Sequence, residues 1–122
     1  MNTVFPCLYY ADAAKAITWL TEAFGLTEHV VYRGDDGTIA HAELSWRGEP
    51  AIMMGSSDEL NTPAGNGAIY LVVEDPDAHH ARAVAAGAEI VRPLTDQDYG
   101  SRGYSARDLE GNVWDFGTYQ PS

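Results

Sequence analysis

Val4–Gly25 reads VFPCLYYADAAKAITWLTEAFG. An apolar, aromatic run, Val4 to Tyr10, predicts a strand, with Pro6 near its start or on an edge. Asp12 follows as a helix N-cap. Ala13, Ala14, Ala16, Ile17, Leu20, Ala23 and Phe24 then recur at helical spacing, and Gly25 stops the helix. Ala68–Gly87, AIYLVVEDPDAHHARAVAAG, has the same punctuation: an apolar strand, Asp75 as cap, Pro76 at the first helical position and Gly87 as stop. The two caps lie 63 positions apart and the two glycine stops 62 apart. Matched punctuation at this separation points to a duplicated unit.

Three strands follow each helix. In the first half they are Leu26 to Arg33, Thr38 to Trp46 and Pro50 to Met54, with turns at Gly34-Asp35-Asp36-Gly37 and Arg47-Gly48-Glu49. In the second half they are Glu89 to Leu94, Gly103 to Asp108 and Val113 to Tyr119, with Glu110-Gly111-Asn112 as the last turn. Residues 56–67 are rich in Ser, Asp, Asn, Pro and Gly and read as a linker. The expected fold is therefore α+β: a βαβββ module over residues 1–55, the linker, and a second module over residues 68–122, joined in one compact unit.

The chain carries 18 acidic and 7 basic residues, a net charge of −11. That balance argues against nucleic acid, whose phosphates need Lys and Arg partners, and against an anionic membrane surface. No run approaches the roughly 20 apolar residues of a membrane span, and Met1 to Tyr10 lacks the basic start of a secretory signal. Cys7 is the only cysteine, which excludes an internal disulfide and a zinc cluster and makes a reducing, cytoplasmic setting the expectation.

Phe5 to Tyr10 followed by Asp12-Ala13-Ala14, the helix end Glu22-Ala23-Phe24-Gly25-Leu26, the segment His41-Ala42-Glu43-Leu44, the strand Ala51 to Gly55, and the ending Asp108-Leu109-Glu110-Gly111-Asn112-Val113-Trp114-Asp115-Phe116-Gly117 carry a resemblance. Together they resemble the vicinal oxygen chelate superfamily, which holds glyoxalase I, bleomycin resistance proteins, extradiol dioxygenases and fosfomycin resistance enzymes. The nearest likeness is to its small bacterial glyoxalase-like members. The resemblance implies two βαβββ modules whose sheets curl around an open cavity, and a homodimer that completes the cavity across the pair.

The resemblance also implies four metal-ligand slots, one on the first and one on the last strand of each module. Counted back from the capping Asp, the first-strand slots hold Phe5 and Ala68; the last-strand slots hold Met53 and Asp115. Divalent metals take His, carboxylate or similar donors, and Asp115 alone qualifies, so no metal cofactor is expected. With Asp115 pointing inward, strand alternation puts Ile39, His41, Glu43 and Ser45 on one face, and Ala40, Ala42, Leu44 and Trp46 on the helix side. The 63-residue offset carries His41 to Tyr104. The expected lining is Phe5, Cys7, Tyr9, His41, Glu43, Met53, Tyr70, Tyr104 and Asp115, with Tyr99 as a further contact on a loop bordering the pocket. Asp115 is read as a cavity carboxylate or a partner of Arg102 or Arg107, Cys7 as a buried thiol, and His79-His80 as solvated helix surface.

His41 and Glu43, about 7 Å apart on one strand face, form a candidate acid–base pair. These features point to a protein that binds an aromatic or cationic organic compound without a metal. The alternatives are a metal-dependent lyase, isomerase or dioxygenase of the same superfamily, with a divalent metal on His41, Glu43 and Asp115, and metal-free proton transfer by His41 with Glu43.

Overall fold

The computed structural model describes residues 5–56, 68–97 and 100–119. The order is β1 (Cys7–Tyr10), α1 (Ala13–Ala23), β2 (Thr27–Arg33), β3 (Ile39–Trp46), β4 (Glu49–Ser56), β5 (Ala68–Val72), α2 (Pro76–Ala85), β6 (Glu89–Asp96), β7 (Arg102–Arg107) and β8 (Val113–Gly117). Two mixed four-stranded sheets result, ordered β1-β4-β3-β2 and β5-β8-β7-β6, with β1 parallel to β4 and β5 parallel to β8. This is the α+β duplication expected. The sheets do not close on one another. Most of the linker, residues 57–67, and Tyr99 lie outside the described residues. Among the described residues no helix is long and apolar enough to cross a membrane.

Each helix begins where its cap predicts. The Asp12 carboxylate accepts from Lys15 N at 3.1 Å and that of Asp75 from Ala78 N at 3.0 Å, which satisfies a backbone donor that has no partner inside the helix. On α1 the buried positions are Ala13, Ala16, Ile17, Leu20 and Ala23, a helical stripe. That stripe and the helix-facing side chains of both sheets form one core, including Phe24, Ile39, Leu44, Ile52, Trp114 and Phe116. Phe24, at the end of α1, meets Trp114 at 5.5 Å and Phe116 at 4.9 Å between ring centroids. The modules are thus joined through their helix sides, and the opposite face of each sheet is left open.

Polar contacts cross the same junction. Asp108, in the β7–β8 turn, is buried, and its carboxylate accepts from Tyr10 Oη at 2.5 Å, Trp114 Nε1 at 3.0 Å, Asn112 Nδ2 at 3.3 Å, and the backbone N–H groups of Glu110 and Asn112 at 3.0 and 3.1 Å. Beside it the Glu110 carboxylate accepts from Ala11 N at 2.6 Å and Asp12 N at 2.9 Å. In the other direction, Trp46 Nε1 donates to the Val72 carbonyl at 2.8 Å and Trp19 Nε1 to that of Ala86 at 3.0 Å.

His79 corrects the expectation of a solvated helix surface. It is partly buried, its Nε2 lies 2.7 Å from the Phe24 carbonyl and its Nδ1 lies 2.6 Å from Tyr104 Oη. A carbonyl can only accept, so Nε2 carries the proton and Tyr104 donates to Nδ1. Phe116 covers the ring at 4.3 Å between centroids. A helix wheel cannot show this, because the covering groups come from the C-cap of α1 and from β7 and β8.

Tyr10→Phe removes the cross-module donor that the buried carboxylate has among the described residues. The expected loss is about 2 kcal/mol, read as a lower urea midpoint at unchanged slope. A second prediction concerns pH. Burial, reinforced by the charge of Arg82 and opposed by the Phe24 hydrogen bond, holds the His79 ring below its ordinary pKa of 6.5. The unfolded chain therefore takes up this proton first, so the contribution of neutral His79 to stability is full above that value and falls as pH drops through it. Urea unfolding from about pH 8 down to about pH 5 is expected to show that decline, and His79→Gln to remove the part due to this ring.

Candidate functional site

The open faces of the two sheets carry matching rows. In the first, Cys7 pairs with Met53 and Met53 with Glu43. In the second, Tyr70 pairs with Asp115 and Asp115 with Ser105. Each row runs across three strands with its side chains on one face. Tyr9, Cys7, Ala40, His41, Met53 and Gly55 border a groove of about 220 Å³ on the first sheet. His41 Nε2 lies 2.8 Å from Glu43 Oε2, and the imidazole stacks on Tyr32, 6.1 Å between centroids. Tyr32 is 61% exposed and adds an aromatic surface that the sequence reading did not single out. Its signal is alternation within β2, which places it in register with His41.

On the second sheet the Asp115 carboxylate accepts from Ser105 Oγ. Of the two readings from sequence, cavity carboxylate or arginine partner, the second is not met among the described residues: Arg102 binds Asp77 and Asp96, and Arg107 binds Glu89. Tyr70 is exposed on this face and donates to the Tyr119 carbonyl at 2.6 Å. Phe5 is partly buried ahead of β1. Cys7 is exposed, which corrects the expectation of a buried thiol. A strand of four residues at the sheet's edge, next to β4 alone, leaves its outer side chains uncovered.

Two face assignments need correction. Tyr104 is fully buried on the helix side, where it contacts His79 and Phe116, and does not share the face of His41. Ile39 is likewise in the core, because Ala40 is an extra residue between the pairs Tyr32–His41 and Arg33–Ile39 and the alternation slips there. The Tyr104 assignment rested on a constant offset of 63. The stretch from cap to stop is one residue shorter in the second module, so the offset after the helix is 62, as the equivalence of Met53 with Asp115 requires. Tyr104 is then the counterpart of buried Ala42, and Gly103 the counterpart of His41. One residue of slip moves a side chain to the opposite face.

The four slots implied by the resemblance hold one hard donor, Asp115. Of the four slots, three hold Phe5, Ala68 and Met53, and among the described residues no group of three His, Cys, Asp or Glu converges. What the faces offer is aromatic area from Tyr9, Tyr32 and Tyr70, soft sulfur from Cys7 and Met53, and carboxylates from Glu43 and Asp115.

A family model described as the Glyoxalase/Bleomycin resistance protein/Dioxygenase superfamily matches residues 3–116. A protein of Mycobacterium bovis is 34% identical, with the match covering 92% of this chain and 80% of its own. Among solved structures, TioX from Micromonospora sp. ML1 is 32% identical at a TM-score of 0.80, covering 99% of this chain and 98% of its own. The bleomycin-binding protein of Streptomyces verticillus, solved with copper(II)-bleomycin, has the same fold at a TM-score of 0.71 and 19% identity, with 98% of each chain covered.

The second sheet has no room for a side chain at the position of His41. A Cβ on Gly103 would lie 2.1 Å from the Phe116 carbonyl oxygen and 2.9 Å from Gly117 Cα, both backbone atoms. Gly103→Ala is expected to destabilise the chain by about 3 kcal/mol or more, seen as loss of soluble protein or a sharply lowered Tm.

Proposed function

The chain belongs to the glyoxalase/bleomycin resistance protein/dioxygenase superfamily, and from the open faces of its sheets we propose that it binds a small organic compound, aromatic and cationic, without a metal. The observation that carries this reading is the pair of rows Cys7–Met53–Glu43 and Tyr70–Asp115–Ser105. Each joins apolar or aromatic surface to a carboxylate on the open face of its sheet. Aromatic faces attract a cationic, planar guest, and a partly desolvated carboxylate supplies its counter-charge.

A groove of about 220 Å³ is too small and too open to bury most of a drug-sized ligand, for which pockets run roughly 300–1,000 Å³. A second surface is needed to close it. Two copies of the chain supply it when the first sheet of one lies over the second sheet of the other, which brings Glu43 and Asp115 to one cavity from different protomers. A homodimer is therefore part of the proposal. So is the role of His41: its hydrogen bond to Glu43 orients the carboxylate toward the guest.

Tryptophan and tyrosine fluorescence, titrated with a panel of aromatic compounds that do and do not carry a positive charge, tests this. Saturable binding of cationic members is expected, weakened about tenfold by Glu43→Gln and by Asp115→Asn, with a dimeric mass in solution. A flat response across the panel defeats the proposal. So does stoichiometric divalent metal in the purified protein that is lost on replacing His41, Glu43 or Asp115.

A further inference from the structure

The two halves of the chain differ at one joint in a way their shared architecture does not explain. In the first half the N–H groups of Ala11 and Asp12, just ahead of α1, both donate to the Glu110 carboxylate, which arrives from the last turn of the other module. The counterparts, 63 positions on, are Glu74 and Asp75, just ahead of α2. The turn that approaches them joins β3 to β4. The connection between paired Leu44 and Ile52 has the same length as that between paired Ala106 and Trp114, so Gly48 stands where Glu110 stands, 62 positions earlier. Gly48 has no carboxylate to offer. Among the described residues no acceptor reaches the backbone N–H of Glu74 or Asp75.

At that joint there is a cleft of about 390 Å³, lined by Trp46, Arg47, Val73, Asp75, His79 and Arg82 among others. Two of the chain's 7 basic residues are here. Arg82 uses Nε and Nη2 on the carbonyls of Glu22 and Thr21, at 3.0 and 3.1 Å, and its Nη1 has no acceptor among the described residues. This guanidinium and the Trp46 ring meet around Gly25: a Cβ there would lie 3.1 Å from Nη1 and 3.5 Å from the indole. Arg47 donates one bond, at 2.7 Å, to the exposed Glu74 carboxylate.

We propose that this cleft is a second ligand site, distinct from the open sheet faces, and that it takes the carboxylate of a small aromatic acid. The carboxylate would accept from the N–H groups of Glu74 and Asp75 as Glu110 accepts from their counterparts, with Arg47 and Arg82 supplying positive charge. The ring would lie against Trp46, within a volume that suits a small ligand. The acids already present do not forbid this. Glu110 sits on the backbone of Asp12, itself a capping carboxylate, so the same arrangement of two acids at a helix start is formed within this chain.

The test is an amide NMR titration of the whole chain with sodium benzoate, and separately with sodium acetate and with sodium chloride at matched ionic strength. Benzoate is expected to shift the amides of Glu74 and Asp75 and the indole N–H of Trp46 saturably, more tightly than acetate, while chloride leaves them in place. Arg47→Gln is expected to weaken benzoate about tenfold. Ala78→Phe, at an exposed position that lines the cleft, is expected to abolish the shifts, whereas Glu43→Gln and Asp115→Asn leave them unchanged. Absence of saturable shifts at Glu74 and Asp75, equal affinity in Arg47→Gln, or binding of an acidic peptide without binding of benzoate overturns the proposal.

Discussion

The carboxylate of Asp108 ties the two modules together. A charge taken out of water is tolerated only when its lone pairs are met by donors, and this one meets five: three from its own turn's backbone and Asn112 side chain, one from Trp114 and one from Tyr10 of the other module. Four of the five shape the turn, and the fifth fixes where that turn sits relative to β1. The position of Glu110 against the start of α1 follows from the same anchoring. Burial and the adjacent charge hold the Tyr10 phenol protonated, well above its ordinary pKa, so it remains a donor.

Because the modules meet through their helix sides, the faces left uncovered are the ones proposed to bind a ligand. The aromatic cluster of Phe24, Trp114, Phe116 and Tyr104 occupies the junction, and Cys7, Glu43, Tyr70 and Asp115 remain on the outer faces. Duplicated architecture does not imply duplicated chemistry. Met53 and Asp115 occupy equivalent strand positions yet differ in charge, and His41 has Gly103 as its counterpart, where the strand backbones approach too closely for any side chain.

Much of this was legible without coordinates. The capping aspartates, the glycine stops and the strand turns are local signals, since each depends on backbone conformation within a few residues. The pairing of Glu43 with His41 is local too, because residues two apart on a strand share a face. Tyr104 illustrates where local reading stops. Its face depends on how many residues the helix before it takes up, and the one-residue difference between the two modules was visible only in the unequal spacing of caps and stops. A coincident glycine pair in the last turns, Gly48 and Gly111, favoured the other offset.

The sequence by itself determined the order of elements, their boundaries to within a few residues and the duplication, because these arise from alternation, helical spacing and the stereochemistry of Asp, Gly and Pro. Tertiary structure alone decided which side chains are covered. His79, on a helix pattern that reads as surface, is enclosed by Phe24 and Tyr104 from distant segments, while Cys7, in an apolar strand, lies open at a sheet edge. Burial is a property of what packs from elsewhere in the chain, and no pattern of near neighbours encodes it.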